Sequence, residues 1–215
     1  MHLLCNSKEI PLNVKLILLR HGQSLYNLEN RFTGQLDIDL TKTGCHEAEG
    51  AANQLRSEKI DIAFTSMLRR AQHTLQIILD KCGLQNIPVI KDAALNERSY
   101  GELEGLDKTE TAIKYGAEQV HVWRRSFDVA PPGGESLKDT YQRVVPYFKK
   151  AILPELLKGK NVLVVAHGNS LRSLIMFIEN LTPEQIVARE LATCVPVIYD
   201  FNDEELKAME EGKIL

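Results

Sequence analysis

Two His-Gly corners are the features of this chain best suited to chemistry. The first, at His21, follows an apolar run at residues 14–19, and the second, at His167, follows another at residues 162–166. Both runs are short and rich in Val, Ile and Leu, as in strands covered on both faces of a parallel sheet. Ligands of open α/β sheets bind beyond the carboxyl ends of the strands, so we expect the two imidazoles to meet at one site.

An imidazole in this position is a good phosphoryl acceptor. Backbone N–H groups at the start of the following helix can hold a phosphate while a free ring nitrogen attacks it. The alternative interpretation of a single histidine is a core residue bonded to a carbonyl group. The matched pair, His21 and His167, at two strand ends favours phosphoryl chemistry.

Positive charge is concentrated near these corners, although the formal net charge of the chain is −3. Arginine binds phosphate and carboxylate in a bidentate manner, so a ligand with both groups would use several of these side chains. In the adjacent pair Arg69 and Arg70, the helical phase directs only Arg70 towards the strand end, and we expect Arg69 to face solvent. The cationic candidates are Arg20, Arg70, Arg98, Lys108, Arg124 and Arg125.

Glu97 is the candidate general acid and base. It lies in an irregular segment, and a carboxylate close to a bound phosphate would have a raised pKa. The sequence has no Walker A loop and no HExxH pattern that would suggest a metal. We therefore expect arginines and backbone N–H groups, and no metal ion, to neutralise charge in the transition state.

The composition is typical of a globular protein, with 44% hydrophobic and 26% charged residues. No apolar run approaches the ~20 residues that a bilayer span needs, and the N-terminus lacks the features of a secretory signal. The acidic net charge predicts neither a nucleic-acid footprint nor a polybasic membrane patch. Four widely spaced cysteines indicate reduced thiols. We expect a cytoplasmic protein that acts on a small molecule.

The 215 residues predict a single domain at residues 14–215, after a leader at residues 1–13. Helical and strand patterns alternate, except at about residues 92–134, which we expect to form an insertion over the sheet edge. Strands are expected at residues 14–19, 60–64, 88–90, 162–166 and 195–201. The pattern indicates an α/β fold with a mostly parallel sheet that helices cover on both faces.

Three details of the helices are also predicted. Ser66 is expected to cap a helix that Gly83 terminates. A long helix at residues 136–158 is expected to bend near its prolines, because proline removes a backbone hydrogen bond and clashes with the preceding turn. Another helix is expected to begin at Ser170, three residues after the second His corner.

The chain resembles the cofactor-dependent phosphoglycerate mutases of the histidine phosphatase superfamily through nearly its whole length. The RHG motif with a distant His is common to the superfamily, whereas the NERSYG, GLDK and WRR blocks are more specific to the mutases. The matching segments are LLRHGQSLYNLENRFTG, FTSMLRRAQHTL, LNERSYGELEGLDKTETAIKYG, VWRRSF, PPGGESL, AHGNSLR and TCVPVIYDF. The resemblance implies a three-layer α/β/α fold with a mostly parallel central sheet. It also implies interconversion of 2- and 3-phosphoglycerate in glycolysis and gluconeogenesis.

The resemblance also implies roles for individual residues. His21 would be phosphorylated, primed by 2,3-bisphosphoglycerate, and Glu97 would move the proton of the reacting substrate hydroxyl. The transferring phosphoryl group would be held by His167, Arg20, Arg70 and Asn27. The remaining substrate-binding positions would be Ser24, Thr33, Gly34, Arg98, Tyr100, Lys108, Arg124, Arg125, Gly168 and Asn169. Arg20 precedes His21 whereas Ala166 precedes His167, so we expect His21 to be the nucleophile and His167 to stabilise charge.

The sequence departs from many relatives at two places. Only Gly-Gly-Glu-Ser separates Pro132 from Leu137, where many relatives carry a long polar excursion, and the tail after Phe201 is short and acidic. In the family the tail helps to close the site, and a phosphohistidine that is open to water hydrolyses. We therefore expect more bisphosphatase side activity than in long-tailed relatives.

Two alternative functions remain for a chain with these motifs. One is a histidine phosphatase that hydrolyses a small phosphorylated metabolite with the same His21, and the other is a non-catalytic binding module. Lys108 and the Arg124-Arg125 pair argue against the hydrolase, and the presence of His21 and Glu97 argues against the module. The family is commonly dimeric or tetrameric, so a homo-oligomer is expected, with no nucleic-acid or membrane partner.

Overall fold

The fold is built on a five-stranded sheet in the computed structural model, which describes residues 13–212. The strands are β1 (Val14–Arg20), β2 (Ile62–Thr65), β3 (Val89–Lys91), β4 (Val162–Ala166) and β5 (Val197–Phe201). Their order is β3-β2-β4-β1-β5, and only β5 runs antiparallel to its neighbour. The carboxyl ends of the four parallel strands therefore lie at one edge of the sheet.

Helices cover both faces of this sheet, as predicted for a three-layer α/β/α fold. In chain order they are α1 (Leu25–Leu28), α2 (Lys42–Leu55), α3 (Arg69–Cys82), α4 (Lys108–Tyr115), α5 (Ala117–Arg125), α6 (Leu137–Tyr147), α7 (Leu153–Leu157), α8 (Gly168–Ile178), α9 (Pro183–Ala188) and α10 (Asp203–Glu210). Helices α2 and α3 pack on one face, and α6, α7, α8 and α10 contribute to the core on the other.

Alternation along the strands divides the core into these two halves. In β1, Leu16 and Leu18 face the α6–α8 side, whereas Ile17 and Leu19 face α2 and α3. Every residue of β4 is buried, which matches a central strand with both faces covered. This burial on both faces explains why the strand sequences are almost entirely apolar.

The long helix before β4 bends as predicted. After α6 the chain forms a π-helical segment at Phe148–Ile152 and then continues as α7. Pro146 lies inside α6 and Pro154 lies in the first turn of α7. Because proline lacks an N–H donor, the regular hydrogen-bond ladder cannot continue through these positions, and the wider turn accommodates the break.

The segment between β3 and α6 carries two short 3-10 turns, at Ala93–Leu95 and Gly101–Leu103, followed by α4 and α5. It has a small core of its own, formed by Phe32, Leu103 and Val120. This core joins the segment to the loop after β1, which carries Phe32. The segment thereby forms a wall over the carboxyl edge of the sheet.

Two predictions about helix starts were wrong. Helix α3 begins at Arg69 after Leu68, with no side-chain cap, because the Ser66 hydroxyl accepts the Leu68 N–H and also pairs with His167. Helix α8 begins at Gly168, not at Ser170, with His167 at its N-cap. In both cases the residue that follows a strand, Ser66 or His167, takes part in the contact between Ser66 Oγ and the His167 ring.

Residues 1–12 of the predicted leader lie outside the described residues, as does Cys5. Between residues 13 and 212, no helix is long and apolar enough to cross a membrane. The three cysteines in this range, Cys45, Cys82 and Cys194, are free thiols.

Candidate active site

His21 follows β1 directly, and a backbone contact fixes the orientation of its ring. Its backbone N–H donates to Ala166 O of β4 at 3.0 Å, which extends the strand pairing to the corner. Its ring Nδ1 donates to the carbonyl of Gly22 at 2.6 Å, which leaves Nε2 as the nitrogen with a lone pair. A side chain at Gly22 would collide with the carbonyl of Gly44, so glycine is required at this turn.

His167 lies beside His21 at the end of the neighbouring strand. The two ring centroids are 5.0 Å apart, with an angle of 61° between the ring planes. Nε2 of His167 pairs with Ser66 Oγ at 2.7 Å, and its Nδ1 is buried without a partner among residues 13–212. The predicted meeting of the two imidazoles is confirmed, and Nδ1 is available to an incoming group.

Both imidazoles are neutral at neutral pH. Burial, followed by the positive charges of Arg70 and Arg20, holds the pKa of His21 well below its ordinary value. Burial and the charge of Arg70, with smaller contributions from His21, Arg20 and Arg143, lower the pKa of His167 in the same direction. A neutral His21 keeps the Nε2 lone pair that a nucleophile needs.

Arg70, on the first turn of α3, is fully buried and binds the nucleophile directly. Its Nε donates to His21 Nε2 at 3.3 Å, while Nη1 and Nη2 donate to the carbonyls of Leu36 and Gly34, both at 2.8 Å. Burial lowers its pKa to about 10, so it keeps its charge at neutral pH. Arg69 faces solvent, as predicted, and its side chain pairs with Asp37.

Arg20 approaches the same point from β1. Its Nη1 donates to Leu191 O at 2.7 Å, whereas its Nε is buried and unpaired within the described part of the chain. A Cβ on Gly168 would lie 3.9 Å from this Nε. The unpaired donor of Arg20 therefore lies at the first turn of α8, where anions are favoured by free backbone N–H groups.

Glu97 is fixed by the backbone rather than left mobile. Its Oε1 accepts the N–H of Arg98 at 2.8 Å and the N–H of Asn169, in the first turn of α8, at 3.0 Å. A Cβ on Gly168 would lie 3.6 Å from the other oxygen, Oε2. The carboxylate of Glu97 thus reaches the start of α8, and its Oε2 takes no part in these two hydrogen bonds.

Arg143 of α6 holds the backbone that carries Glu97. It donates to the carbonyls of Ala94, Asn96 and Glu97 at 2.8–3.0 Å. It also forms a bidentate pair with Glu135, 2.9 Å on each arm. No motif in the sequence pointed to Arg143, because the carbonyls that it holds are 46 to 49 residues away along the chain.

Arg20, His21, Arg70 and Glu97 open into one cavity at the carboxyl edge of the sheet. His167 and Arg143 are not among the residues that line it. Its wall contains more cationic than acidic side chains, which suits a ligand with several negative charges. Most of the predicted site residues line it: Arg20, His21, Asn27, Thr33, Gly34, Arg70, Glu97, Tyr100, Lys108, Arg124, Arg125, Gly168 and Asn169. The lining also includes residues that the sequence reasoning missed, namely Arg31, Phe32, Arg172 and Glu190.

Ser24 and Arg98 lie behind the cavity wall. Ser24 is buried at the N-cap of α1, where its Oγ donates to Asn27 Oδ1 at 3.0 Å and orients that lining residue. Arg98 is fully buried, donates to Tyr100 Oη at 2.8 Å and lies 4.5 Å from the Tyr100 ring centroid. Both residues position lining side chains instead of facing the cavity.

Lys108 begins α4 on the insertion side of the cavity. Burial, with the positive charges of Arg124 and Arg20 nearby, lowers the pKa of its ammonium to about 8. Its Nζ lies 5.9 Å from the Phe32 ring centroid. Lys108 is therefore close to the point where it would lose its charge, and a bound anion would stabilise the charged form.

The described residues contain no group of three or more His, Cys, Asp or Glu side chains that could hold a metal ion. Arg20, Arg98 and His167 instead contribute buried side-chain nitrogens that have no partner among the described residues. These donors fit a phosphoryl group, which offers acceptor oxygens only.

The fold and the paired histidines define a class of protein. Residues 16–211 match the histidine phosphatase superfamily (branch 1), and the chain belongs to this superfamily.

Similar proteins within this superfamily share one name. The chain is 59% identical to a 2,3-bisphosphoglycerate-dependent phosphoglycerate mutase of Bradyrhizobium sp. (strain ORS 278), over 86% of this chain and 90% of the relative. It is 57% identical to a protein of the same name from Rhizobium rhizogenes (strain K84), over 91% of this chain and 94% of the relative.

Solved structures with the same fold include phosphatases. A mycobacterial glucosyl-3-phosphoglycerate phosphatase in complex with VO3 has a TM-score of 0.77 at 28% identity, covering 86% of this chain and 90% of that chain. An alpha-ribazole phosphatase from Shigella flexneri has a TM-score of 0.74 at 26% identity, covering 86% of this chain and 89% of that chain.

Proposed function

We propose that this protein is an isomerase that interconverts 2-phosphoglycerate and 3-phosphoglycerate through a phosphohistidine at His21. The observation that carries the proposal is the neutral His21, whose Nε2 keeps a lone pair beside the buried charge of Arg70. Identity of 57–59% to relatives that are named as mutases supports it over hydrolysis, since the phosphatases of the same fold are only 26–28% identical. The reaction belongs to glycolysis and gluconeogenesis.

The phosphoryl group is held by donors that are in place before it arrives. Arg70 Nε contacts Nε2 of His21, and Arg20 Nε and His167 Nδ1 are buried without partners among the described residues. As Nε2 attacks phosphorus and the bond from phosphorus to the donor's oxygen breaks, these groups neutralise the oxygens of the transferring group. When bound, 2,3-bisphosphoglycerate supplies the phosphoryl group that primes His21.

Glu97 moves the proton of the reacting substrate hydroxyl. The two backbone N–H bonds on Oε1 fix its direction, so Oε2 accepts the proton when the hydroxyl attacks and returns it to the leaving oxygen. Glu97 Oε2 and Arg20 Nε both lie beside Gly168, since a Cβ built on this glycine would be 3.6 Å from the first atom and 3.9 Å from the second. The proton acceptor is therefore close to a donor that would hold the phosphoryl group, which supports this role. The proton and phosphoryl transfers thus share one corner.

The other end of the substrate is bound by the insertion. Lys108, Arg124 and Arg125 line the cavity there, and Thr33 and Gly34 line it from the loop after β1. Two anionic groups, one at His21 and one at these cations, fit a phosphoglycerate in either orientation. Binding in both orientations is what converts phosphoryl exchange into isomerisation.

The proposal is tested by assaying isomerisation of 3-phosphoglycerate with and without 2,3-bisphosphoglycerate, in the presence of a chelator. We expect activity that needs the primer and survives chelation. Glu97→Gln should lower kcat by about 10²–10⁴-fold, the usual contribution of general acid–base catalysis. Phosphate release without isomerisation, or loss of activity on chelation, would contradict the proposal.

Compartment and assembly complete the proposed function. We place the enzyme in the cytoplasm and expect a homo-oligomer. An exposed edge strand supports association, because β3 lies at one edge of the sheet formed by the described residues and carries Val89 and Ile90 at 39% and 40% exposure. Light scattering coupled to size-exclusion chromatography tests this, and a monomer at all concentrations would contradict it.

A further inference from the structure

The cavity contains a carboxylate that the proposed mechanism does not use. Glu190 lies in the irregular segment between α9 and β5, and it lines the cavity. Its Oε1 is 2.7 Å from Arg125 Nη2, and its Oε2 is 3.6 Å from Arg172 Nη2. A negative side chain therefore occupies cations at the end of the cavity that would bind the second anionic group of a substrate.

The backbone on either side of Glu190 is also held by arginines of the cavity. Arg172 Nε donates to Arg189 O at 2.8 Å, and Arg20 Nη1 donates to Leu191 O at 2.7 Å. Three consecutive residues thus contact cavity arginines, two by their carbonyls and one by its carboxylate. The carbonyl contacts keep the Glu190 side chain within reach of Arg125 whenever the site is free.

The two acidic residues of the cavity differ in how firmly they are held. Glu97 accepts two backbone N–H bonds, whereas the Glu190 side chain is 69% exposed and its partner Arg125 is 34% exposed. An ion pair with this much solvent access is weak and is readily exchanged for another anion. Glu190 can therefore leave Arg125 without disturbing the fold.

We infer that Glu190 is an internal competitor for the substrate's second anionic group. In the free enzyme its carboxylate neutralises Arg125 and Arg172, and a phosphoglycerate must displace it to bind both ends of the cavity. When the far end of the ligand leaves, Glu190 returns to the arginines. Glu190 therefore sets the affinity for two-ended anions, and this inference rests on the proposed function for the identity of the ligand.

Calorimetric titration of dephosphorylated enzyme with 3-phosphoglycerate tests this inference, because it measures binding and needs no turnover. We expect Glu190→Gln to lower Kd by about two- to fivefold, the range for loss of one solvent-exposed ion pair. The variant keeps the size and polarity of the side chain. Glu210→Gln, which removes the same charge from an exposed position on α10, controls for net charge and should leave Kd unchanged.

The outcomes separate this inference from the proposed function. Unchanged or weaker binding by Glu190→Gln would overturn the competitor role, whether or not the enzyme isomerises phosphoglycerate. Weaker binding would mean that Glu190 orients Arg125 for the ligand. Tighter binding by Glu190→Gln in a protein without mutase activity would support the competitor role and contradict only the proposed reaction.

Discussion

At the scale of single residues, one arginine shapes the reactivity of both histidines. Burial is the main cause of the low pKa of His21 and of His167, and the charge of Arg70 adds to it in both cases. Arg70 Nε also donates to His21 Nε2, so the same buried cation helps to keep the nucleophile unprotonated and can bind the negative phosphoryl group. Lysine could not replace it, because three donors in a fixed plane are in use.

The pKa of Lys108 predicts a pH dependence of substrate capture. Since burial lowers this pKa to about 8, the free enzyme loses the Lys108 charge as the pH rises above that value. We expect kcat/KM for 3-phosphoglycerate to fall on the alkaline side of about pH 8 in the wild type. Lys108→Arg, which stays charged, should extend the plateau, and identical alkaline limbs in the two proteins would contradict this role.

Cys194 adopts a backbone conformation that favours glycine. Its φ is 54°, its side chain is buried, and its N–H donates to Arg20 O at 2.9 Å beside the site. Comparing Cys194→Gly with Cys194→Ala isolates the backbone cost, since both variants lose the thiol. We expect the glycine variant to be more stable than the alanine variant by about 1 kcal/mol in denaturant unfolding. Equal stabilities would mean that the surrounding structure absorbs the strain.

At the scale of elements, α6 positions the loop that carries the general acid and base. Arg143→Lys keeps the charge but cannot reach three carbonyls and Glu135 together. We expect kcat to fall by about 10–100-fold, because small displacements of a catalytic group are costly. KM should change little, since Arg143 does not line the cavity.

Thermal unfolding distinguishes this positioning effect from general damage. Lys138→Arg, on the solvent side of the same helix, serves as the control and should match the wild type in kcat. An unchanged kcat in Arg143→Lys would contradict the positioning role. A fall in kcat that is fully explained by a smaller fraction of folded Arg143→Lys protein would contradict it as well.

Element ends were harder to predict than the elements themselves. The strands and the bend at the prolines followed from apolar runs and from the missing proline N–H, which are local properties. Ser66 looked like a helix cap in the sequence, but its hydroxyl pairs with His167, 101 residues away. A tertiary hydrogen bond to His167 therefore overrides the local preference of Ser66 for the N-cap position of a helix.

At the scale of the whole molecule, the site depends on strand direction. Pairing of β1 with β4 in parallel brings Arg20 opposite Ala166, and so brings the two His corners together. This much was predictable from two apolar runs that end in His-Gly. The place of Glu190 in the cavity was not predictable, because the irregular segment after α9 gives no periodic signal, and only the folded chain shows which arginines it contacts.

The position of α10 bears on side activity. It follows β5 at the amino end of β1, where Phe201 is opposite Val14, and packs against α7 away from the histidines. The described part of the tail therefore leaves the cavity uncovered. With no monophosphoglycerate added, we expect phosphate release from 2,3-bisphosphoglycerate to be faster than in a relative that carries a long polar segment between the positions of Pro132 and Leu137. His21→Gln gives the background, and release as slow as the relative's would contradict this expectation.

The central claim is that His21 carries the phosphoryl group and His167 stabilises it. The most direct test is to incubate wild type, His21→Gln and His167→Gln with 2,3-bisphosphoglycerate and map acid-labile phosphate by mass spectrometry. We predict phosphate on His21 in the wild type, none in His21→Gln, and slower labelling of His21 in His167→Gln. Phosphate on His167, or labelling that persists in His21→Gln, would contradict the account.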